Sequence, residues 1–486
     1  MFESADLDHG VPKAAYKREE PKLREALLEA QYDLKKDRRF AAILLIAGVQ
    51  GAGRGETVNL LNEWMDPRFV ATYAFGDPTE EERERPEQWR FWRALPPKGR
   101  IGVLFGAWHT EPIMRRVRGE TSDDEFAHDT AEIARFEQML ADEGVLLLKY
   151  WFHVSQKQQK KRLKKAHEKL EAPYKRFVKV SEAFLRRTST GQVPWVVVPG
   201  GDRRYRALSF GGHLLDALRE RLQARTRKLA SSPPRALPLP KPIDGLNVIR
   251  ALKLNQPMAK SAYAKELKHA QEKLNALSRD AKFRSIAVVA VFEGNDAAGK
   301  GGAIRRVTQS LDARLYRTVP VAAPTEEEAA RPYLWRFWRH IPSRGRLTVF
   351  DRSWYGRVLV ERVEGLAGEP DWMRAYSEIN DFEQSLARHR IVVVKFWLAI
   401  SKQEQLKRFR EREKVSFKRF KITPEDWRNR KKWDAYESAV CDMVDRTSTR
   451  IAPWTLVEAN NKYYARIKVL KTLSRAIEDA LERAKP

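Results

Sequence analysis

The chain has 486 residues, 42% of them hydrophobic, with a formal net charge of +27 and one cysteine. That length suits two or three domains with real cores, and no apolar run reaches membrane-spanning length. The acidic start, residues 1–8, lacks a signal-peptide pattern, and the lone Cys441 excludes an intramolecular disulfide or a cysteine-cluster metal site.

These features favour the cytoplasm. A basic excess this large favours a polyanionic partner, either nucleic acid or a phosphate polymer. Residues 1–20 read as a polar leader. Residues 21–38 place Leu23, Leu27, Ala30 and Leu34 at helical spacing. Residues 41–46 form an apolar run that reads as a buried strand, followed by the glycine-rich turn Gly48-Val49-Gln50-Gly51-Ala52-Gly53-Arg54-Gly55.

The stretch 231–242 is rich in proline, cannot sustain a helix or a central strand, and reads as a linker. It separates a first domain, 1–230, from a second, 244–486, with the linker spanning 231–243. The second opens on residues 286–293, a nearly unbroken β-branched run typical of a strand buried on both faces. Further strands are expected at 317–321, 347–350, 391–398 and 454–457, and helices at 372–387 and 402–412. Strands alternating with helices imply an α/β fold with a parallel sheet covered on both faces.

The two halves repeat each other. Gly48 and Gly294 lie 246 positions apart, as do Trp89-Arg90-Phe91-Trp92-Arg93 and Trp335-Arg336-Phe337-Trp338-Arg339, Phe136-Glu137-Gln138 and Phe382-Glu383-Gln384, and Lys149 and Lys395. Later the offset is 259, as for Arg187-Thr188-Ser189-Thr190 and Arg446-Thr447-Ser448-Thr449. The second half therefore carries a net insertion of 13 residues, expected within 415–440. This is a tandem duplication rather than a short-repeat solenoid.

The chemistry concentrates in the second half. After the strand comes Gly294-Asn295-Asp296-Ala297-Ala298-Gly299-Lys300-Gly301-Gly302, and then a segment that can open a helix. Strand, Gly-x4-Gly-Lys, helix is a phosphate-cradling arrangement. Its amide groups and the helix dipole point at one anion, and Lys300 reaches the terminal phosphates of a donor. Gly301 stands where a Ser or Thr usually holds Mg²⁺, and Asp296 can supply a ligand instead. Downstream, Leu347-Thr348-Val349-Phe350-Asp351-Arg352 is an apolar strand ending in an acid. Asp351 there can hold Mg²⁺, and Arg352 can pair with a phosphate in bidentate fashion. Arg357 and Arg362 follow closely and are further candidates for phosphate. Lys407, Arg408, Arg410, Arg412, Lys414, Lys418, Arg419 and Lys421 form a basic run that either lines a phosphate channel or caps it; singly, each reads as a solvated helix face. The paired tryptophans read as core.

These stretches, with Ser353-Trp354-Tyr355, Val360-Glu361-Arg362-Val363 and Ala452-Pro453-Trp454, make residues 255–480 resemble polyphosphate kinase family 2. The duplicated layout resembles its two-domain, AMP-using members. The resemblance implies a P-loop kinase-like fold with a helical lid in the second copy, Mg²⁺ as cofactor, inorganic polyphosphate as donor, and AMP (or ADP) as acceptor. It further implies that Asp296 and Asp351 bind metal and orient the acceptor, and that Lys300 and Arg352 bind phosphates. Gly294, Asn295, Ala298, Gly299, Gly301 and Gly302 form the phosphate cradle. The first half has Gln50, Arg54, Phe105 and Gly106 where the second has Asp296, Lys300, Asp351 and Arg352, so it reads as folded but catalytically silent.

Two other classes compete with a polyphosphate-dependent transferase. An ATP-dependent kinase of the same fold would share the turn and the acid. A non-catalytic nucleic-acid-binding protein would explain the charge but not two acids beside the turn. No membrane partner is expected, and the sequence, while compatible with a homo-oligomer, does not fix an oligomeric state.

Overall fold

The computed structural model describes residues 1–224, 247–415 and 422–483. The proline-rich stretch 231–242 and the candidates Lys418, Arg419 and Lys421 lie outside them. The chain forms two compact units, each built on one five-stranded sheet.

In the first unit the strands are β1 (Ala42–Gly48), β2 (Val70–Ala74), β3 (Ile101–Phe105), β4 (Leu146–His153) and β5 (Trp195–Pro199). In the second they are β6 (Ala287–Gly294), β7 (Tyr316–Pro320), β8 (Leu347–Asp351), β9 (Ile391–Ala399) and β10 (Trp454–Glu458). The orders are β2-β3-β1-β4-β5 and β7-β8-β6-β9-β10, with every pair parallel. The strand before each glycine-rich turn is thus central, which explains its continuous apolar run: all seven residues of β1 and the first seven of β6 are buried. Helices lie between successive strands, as their alternation in the sequence implies.

The expected strands and helices of the second unit appear within a few residues of their expected ends. The start of the chain departs from expectation. Residues 1–20 are not a leader: the first helix, Lys13–Asp37, begins inside that stretch and continues through Pro21. Ahead of it, Phe2 is 5% exposed and stacks on His153 with ring centroids 4.4 Å apart. Asp6 pairs with the same His153 at 3.3 Å, so an apolar and a polar contact together hold the segment to the end of β4.

The repeated aromatics are core, as expected. Trp89, Phe91, Trp92 and Trp108, and their counterparts Trp335, Phe337, Trp338 and Trp354, are all buried. Phe91 meets Trp108 edge to face at 5.7 Å, and Phe337 meets Trp354 at 5.8 Å. The inserted residues of the second half include a helix, Pro424–Lys431, with no counterpart between the first unit's helices Gln156–Ala166 and Tyr174–Thr188.

Candidate active site

The carboxyl end of a central parallel strand is where ligands approach an open α/β sheet. In the second unit, β6 ends there in Gly294 and its neighbour β8 ends in Asp351, with Phe292 opposite Asp351 in register. Gly294 has φ +149°, and a Cβ on it would meet the Leu398 carbonyl oxygen at 2.5 Å. Only glycine lets the chain leave β6 so close to β9. The turn then reaches the helix Lys300–Thr308, whose first N–H groups have no intrahelical acceptor.

Glu293, Gly294, Asn295, Asp296, Lys300 and Arg352 line one cavity together with Trp397, Gln405, Asn429, Trp433 and Tyr436. Lys300 Nζ donates to the Gly294 carbonyl at 2.9 Å, folded back over the turn. Asp296 accepts from Arg352 at 3.3 Å and from Asn429 at 2.9 Å. Asn295 Oδ1 accepts the Ile400 N–H at 3.2 Å. Ala298, Gly299, Gly301 and Gly302 complete the turn and first helical residues. Asp351 is half-buried at the end of β8, immediately before Arg352.

Burial works against the charge of Arg352, but Asp296 and then Glu293 outweigh it, so its guanidinium is held above its ordinary range. The site therefore keeps a fixed cation at the cavity wall. Among the described residues no cluster of three metal-ligating side chains occurs.

Arg357 and Arg362 are absent from the cavity wall. Arg357 pairs with Glu361 at 3.2 Å. Arg362 pairs with Asp442 at 2.7 Å, bonds to the Tyr376 hydroxyl at 2.9 Å and lies 4.2 Å over the Trp372 ring. Both follow Arg352 closely in sequence, but the short helix Val360–Val363 carries Arg362 toward the helix Glu369–Arg388.

Sequence reasoning missed Glu293 and Ser353. Glu293 is 5% exposed, and Ser353 Oγ donates to its Oε1 at 2.8 Å. Burial pushes the Glu293 carboxyl up, and Lys300 and the Ser353 bond oppose that. A signal existed: the corresponding first-half residues are Ala47 and Ala107, so the pair is lost together with the four groups assigned to chemistry. Asn429 was missed because it comes from the inserted helix, which has nothing to be aligned with.

The first unit keeps the backbone and loses the side chains. Ala297 and Arg352 adopt left-handed φ values of 63° and 65°; Gly51 and Gly106, at the same positions, adopt 78° and 60°. A non-glycine residue in that region is strained. The second unit holds both positions left-handed without glycine, and one of them, Arg352, lines the cavity. At Gly106 a Cβ would meet the Phe75 carbonyl oxygen at 2.5 Å, so the first unit has no room for an arginine there. Gln50, in place of Asp296, is tied to residues 168–171 by bonds to Lys169 O at 3.0 Å and from Glu171 N at 3.2 Å. The Arg206 guanidinium packs against Gly53 from below, where the second unit has only Ala465.

Comparison with known proteins bears on the family and the fold. The family model for polyphosphate kinase 2 matches residues 10–226 and 257–485, one match per unit. A polyphosphate:AMP phosphotransferase of Pseudomonas aeruginosa is 56% identical over 500 aligned residues, covering all of both chains. One from Acinetobacter johnsonii is 39% identical, covering 93% of this chain and 95% of its own. A crystal structure described as a polyphosphate kinase 2 from Pseudomonas aeruginosa PA01 superposes with a TM-score of 0.91 at 55% identity over the full length of both chains. Two matched units, a shared fold and full-length identity lead to one conclusion: the chain belongs to the polyphosphate kinase 2 family.

Proposed function

We propose that the second unit transfers a phosphoryl group from the end of an inorganic polyphosphate chain to AMP, giving ADP. The observation that carries this reading is the cavity in which Lys300, Arg352 and the glycine-rich turn meet Asp296. The full-length relatives named polyphosphate:AMP phosphotransferases support AMP as the acceptor. Other relatives, matching part of the chain, are named ADP- and NDP-polyphosphate phosphotransferases, which keeps ADP as the second reading.

Both substrates are anions, so the task is to neutralise and align them. Lys300 is already above the turn, and phosphate oxygens would take over the bond it now gives to Gly294. Arg352 would turn from Asp296 to a phosphate, offering two parallel donors. The turn amides add fixed partial charges where charge develops in the transition state. Asp296, released from Arg352, orients the acceptor phosphate. Glu293 and Ser353 hold the base of the site between the two cations. The aromatic wall of Trp397, Trp433 and Tyr436 excludes water and offers faces for a nucleobase. Asn429, on the inserted helix, reaches Asp296 as a lid would.

Asp296 on the cavity wall, with Asp351 at the end of the neighbouring strand β8, would hold Mg²⁺, which takes one or two carboxylates together with substrate phosphates rather than an all-protein cage. When bound, the ion would neutralise charge on the substrate phosphates. The first unit offers no such pair, so it supports the fold without turnover.

The test supplies polyphosphate, AMP and Mg²⁺ with no ATP and identifies the products. ADP should form, and chelation should stop it. A requirement for ATP, with polyphosphate inert, would remove this reading and favour an ordinary nucleotide kinase.

A further inference from the structure

Arg408 lies in the basic run, on the helix Lys402–Glu413, where the sequence reads as a solvated face. The structure shows otherwise. Its side chain is 14% exposed and every nitrogen is used. Nε donates to Glu404 at 2.7 Å. Nη1 donates to the carbonyls of Ala297 and Ala298, both at 3.0 Å. Nη2 donates to those of Ala459 at 2.7 Å and Asn460 at 2.8 Å. One guanidinium thus clamps the glycine-rich turn to the loop after β10.

The first unit repeats this clamp. Arg162 donates to Gly51 at 2.7 Å, Gly200 at 2.9 Å and Gly201 at 2.6 Å. By the offsets of 246 and 259 these are the positions of Arg408, Ala297, Ala459 and Asn460. Arg162 and Arg408 therefore do the same mechanical work in a unit without the catalytic side chains and in a unit with them. There Arg206 adds further bonds, to Gly200 O at 3.1 Å and Ala52 O at 3.4 Å.

We propose that Arg408 is a positioning residue for the donor phosphates. It acts through the turn and does not touch them. The carbonyls of Ala297 and Ala298 are those that would accept from Gly301 and Gly302 if the helix began one turn earlier. Arg408 engages both carbonyls; the Gly302 N–H goes to the Gly299 carbonyl at 3.0 Å, and the amides of Gly299, Lys300 and Gly301 are left for the anion. Lysine, a point donor on a flexible stem, cannot hold four carbonyls in one plane. This inference rests on the proposed polyphosphate reaction for its kinetic consequence, but its binding consequence does not need turnover.

The experiment compares the intact chain with Arg408→Lys and Arg162→Lys. Tripolyphosphate binding is read by titration calorimetry without nucleotide, and kcat and KM are measured for polyphosphate and for AMP. Arg408→Lys should weaken tripolyphosphate binding and raise the polyphosphate KM by about ten-fold or more, the scale of a displaced binding group, while the AMP KM stays at its parent value. Arg162→Lys should leave all of these at parent values. If Arg408→Lys does not fold, Glu404→Gln, which loosens the guanidinium at Nε, should shift binding in the same direction by less. Parent-like binding in the folded Arg408 variant overturns the inference, as do equal losses in both arginine variants or a parent that binds no tripolyphosphate. A parent that binds tripolyphosphate through Arg408 yet phosphorylates no AMP would leave this inference standing and overturn the proposed function instead.

Discussion

Lys395 and Glu383 form an ion pair at 2.7 Å with both side chains sealed from solvent. Lys395 Nζ also donates to the Tyr355 hydroxyl at 2.8 Å and the Thr447 carbonyl at 2.7 Å, and Tyr355 donates to Glu383 at 2.7 Å. Lys149 and Glu137 repeat the pair at 2.6 Å in the first unit. Retention in both units marks it as structural, and its position below the Ser353–Tyr355 segment links it to the loop carrying Asp351 and Arg352.

Lys395→Met should therefore destabilise the second unit by about 3–5 kcal/mol, because Glu383 is left buried without its counter-charge. Calorimetry of the intact chain would show one transition lowered. Lys395→Met with Glu383→Gln should recover part of the loss. An unchanged second transition in the single variant would show that burial here is less complete than the structure gives.

Where the second unit has Tyr355 in this network, the first has His109. It is 4% exposed, and Nδ1 has no hydrogen-bond partner among the described residues. Burial, followed by Arg54 and Lys149, lowers its pKa from 6.5 to about 3. The unfolded chain then binds this proton more tightly than the folded one between those values. The contribution is fully present above pH 6.5 and is lost as pH falls toward 3, at up to about 1.4 kcal/mol per pH unit. Carboxylates add their own acid loss, so the informative quantity is a difference. His109→Tyr should flatten the decline of the first unit's melting temperature between pH 6.5 and 4.5. An identical decline in parent and variant would mean that His109 already takes up the proton when folded.

Glu293 and Ser353 give a third prediction. Replacing both by the first-half residues, Glu293→Ala with Ser353→Ala, removes the buried acid between Lys300 and Arg352. Turnover should fall by roughly ten-fold to a hundred-fold, the range of a lost electrostatic or positioning contact, with melting nearly unchanged. Parent-like turnover would reduce the pair to packing.

Much of this was legible beforehand, for reasons particular to each residue. The run 286–293 announced a strand buried on both faces, and the spacing from Gly294 to Lys300 announced the turn, since backbone shape there demands those residues. The duplication placed Gln50, Arg54, Phe105 and Gly106 in fixed register with Asp296, Lys300, Asp351 and Arg352, which is the ground for proposing that the first unit is silent. What escaped was decided by partners far along the chain. Arg408 reads as one more charge on a helix charged all round; its acceptors are main-chain carbonyls, which no side-chain pattern advertises. Arg362 follows Arg352 closely and was grouped with it, yet Asp442, 80 positions away, claims it. Asn429 reaches Asp296 from an insertion with no periodic apolar face. The start of the chain reads as polar overall, and it is held by partners far along the chain: Phe2 on His153, Asp6 beside His153, and His9 on Tyr205.

The central claim is that one site, in the second unit, carries out the transfer. The most direct measurement compares Lys300→Ala and Arg54→Ala in the intact chain, with polyphosphate as donor and AMP as acceptor. Lys300→Ala removes a cation from the cavity and should lower turnover by roughly two orders of magnitude or more. Arg54→Ala changes the corresponding position of the first unit and should leave turnover within a few-fold of the parent. Loss of activity in Arg54→Ala as complete as in Lys300→Ala, with both proteins folded, would contradict the account and place part of the chemistry in the first unit.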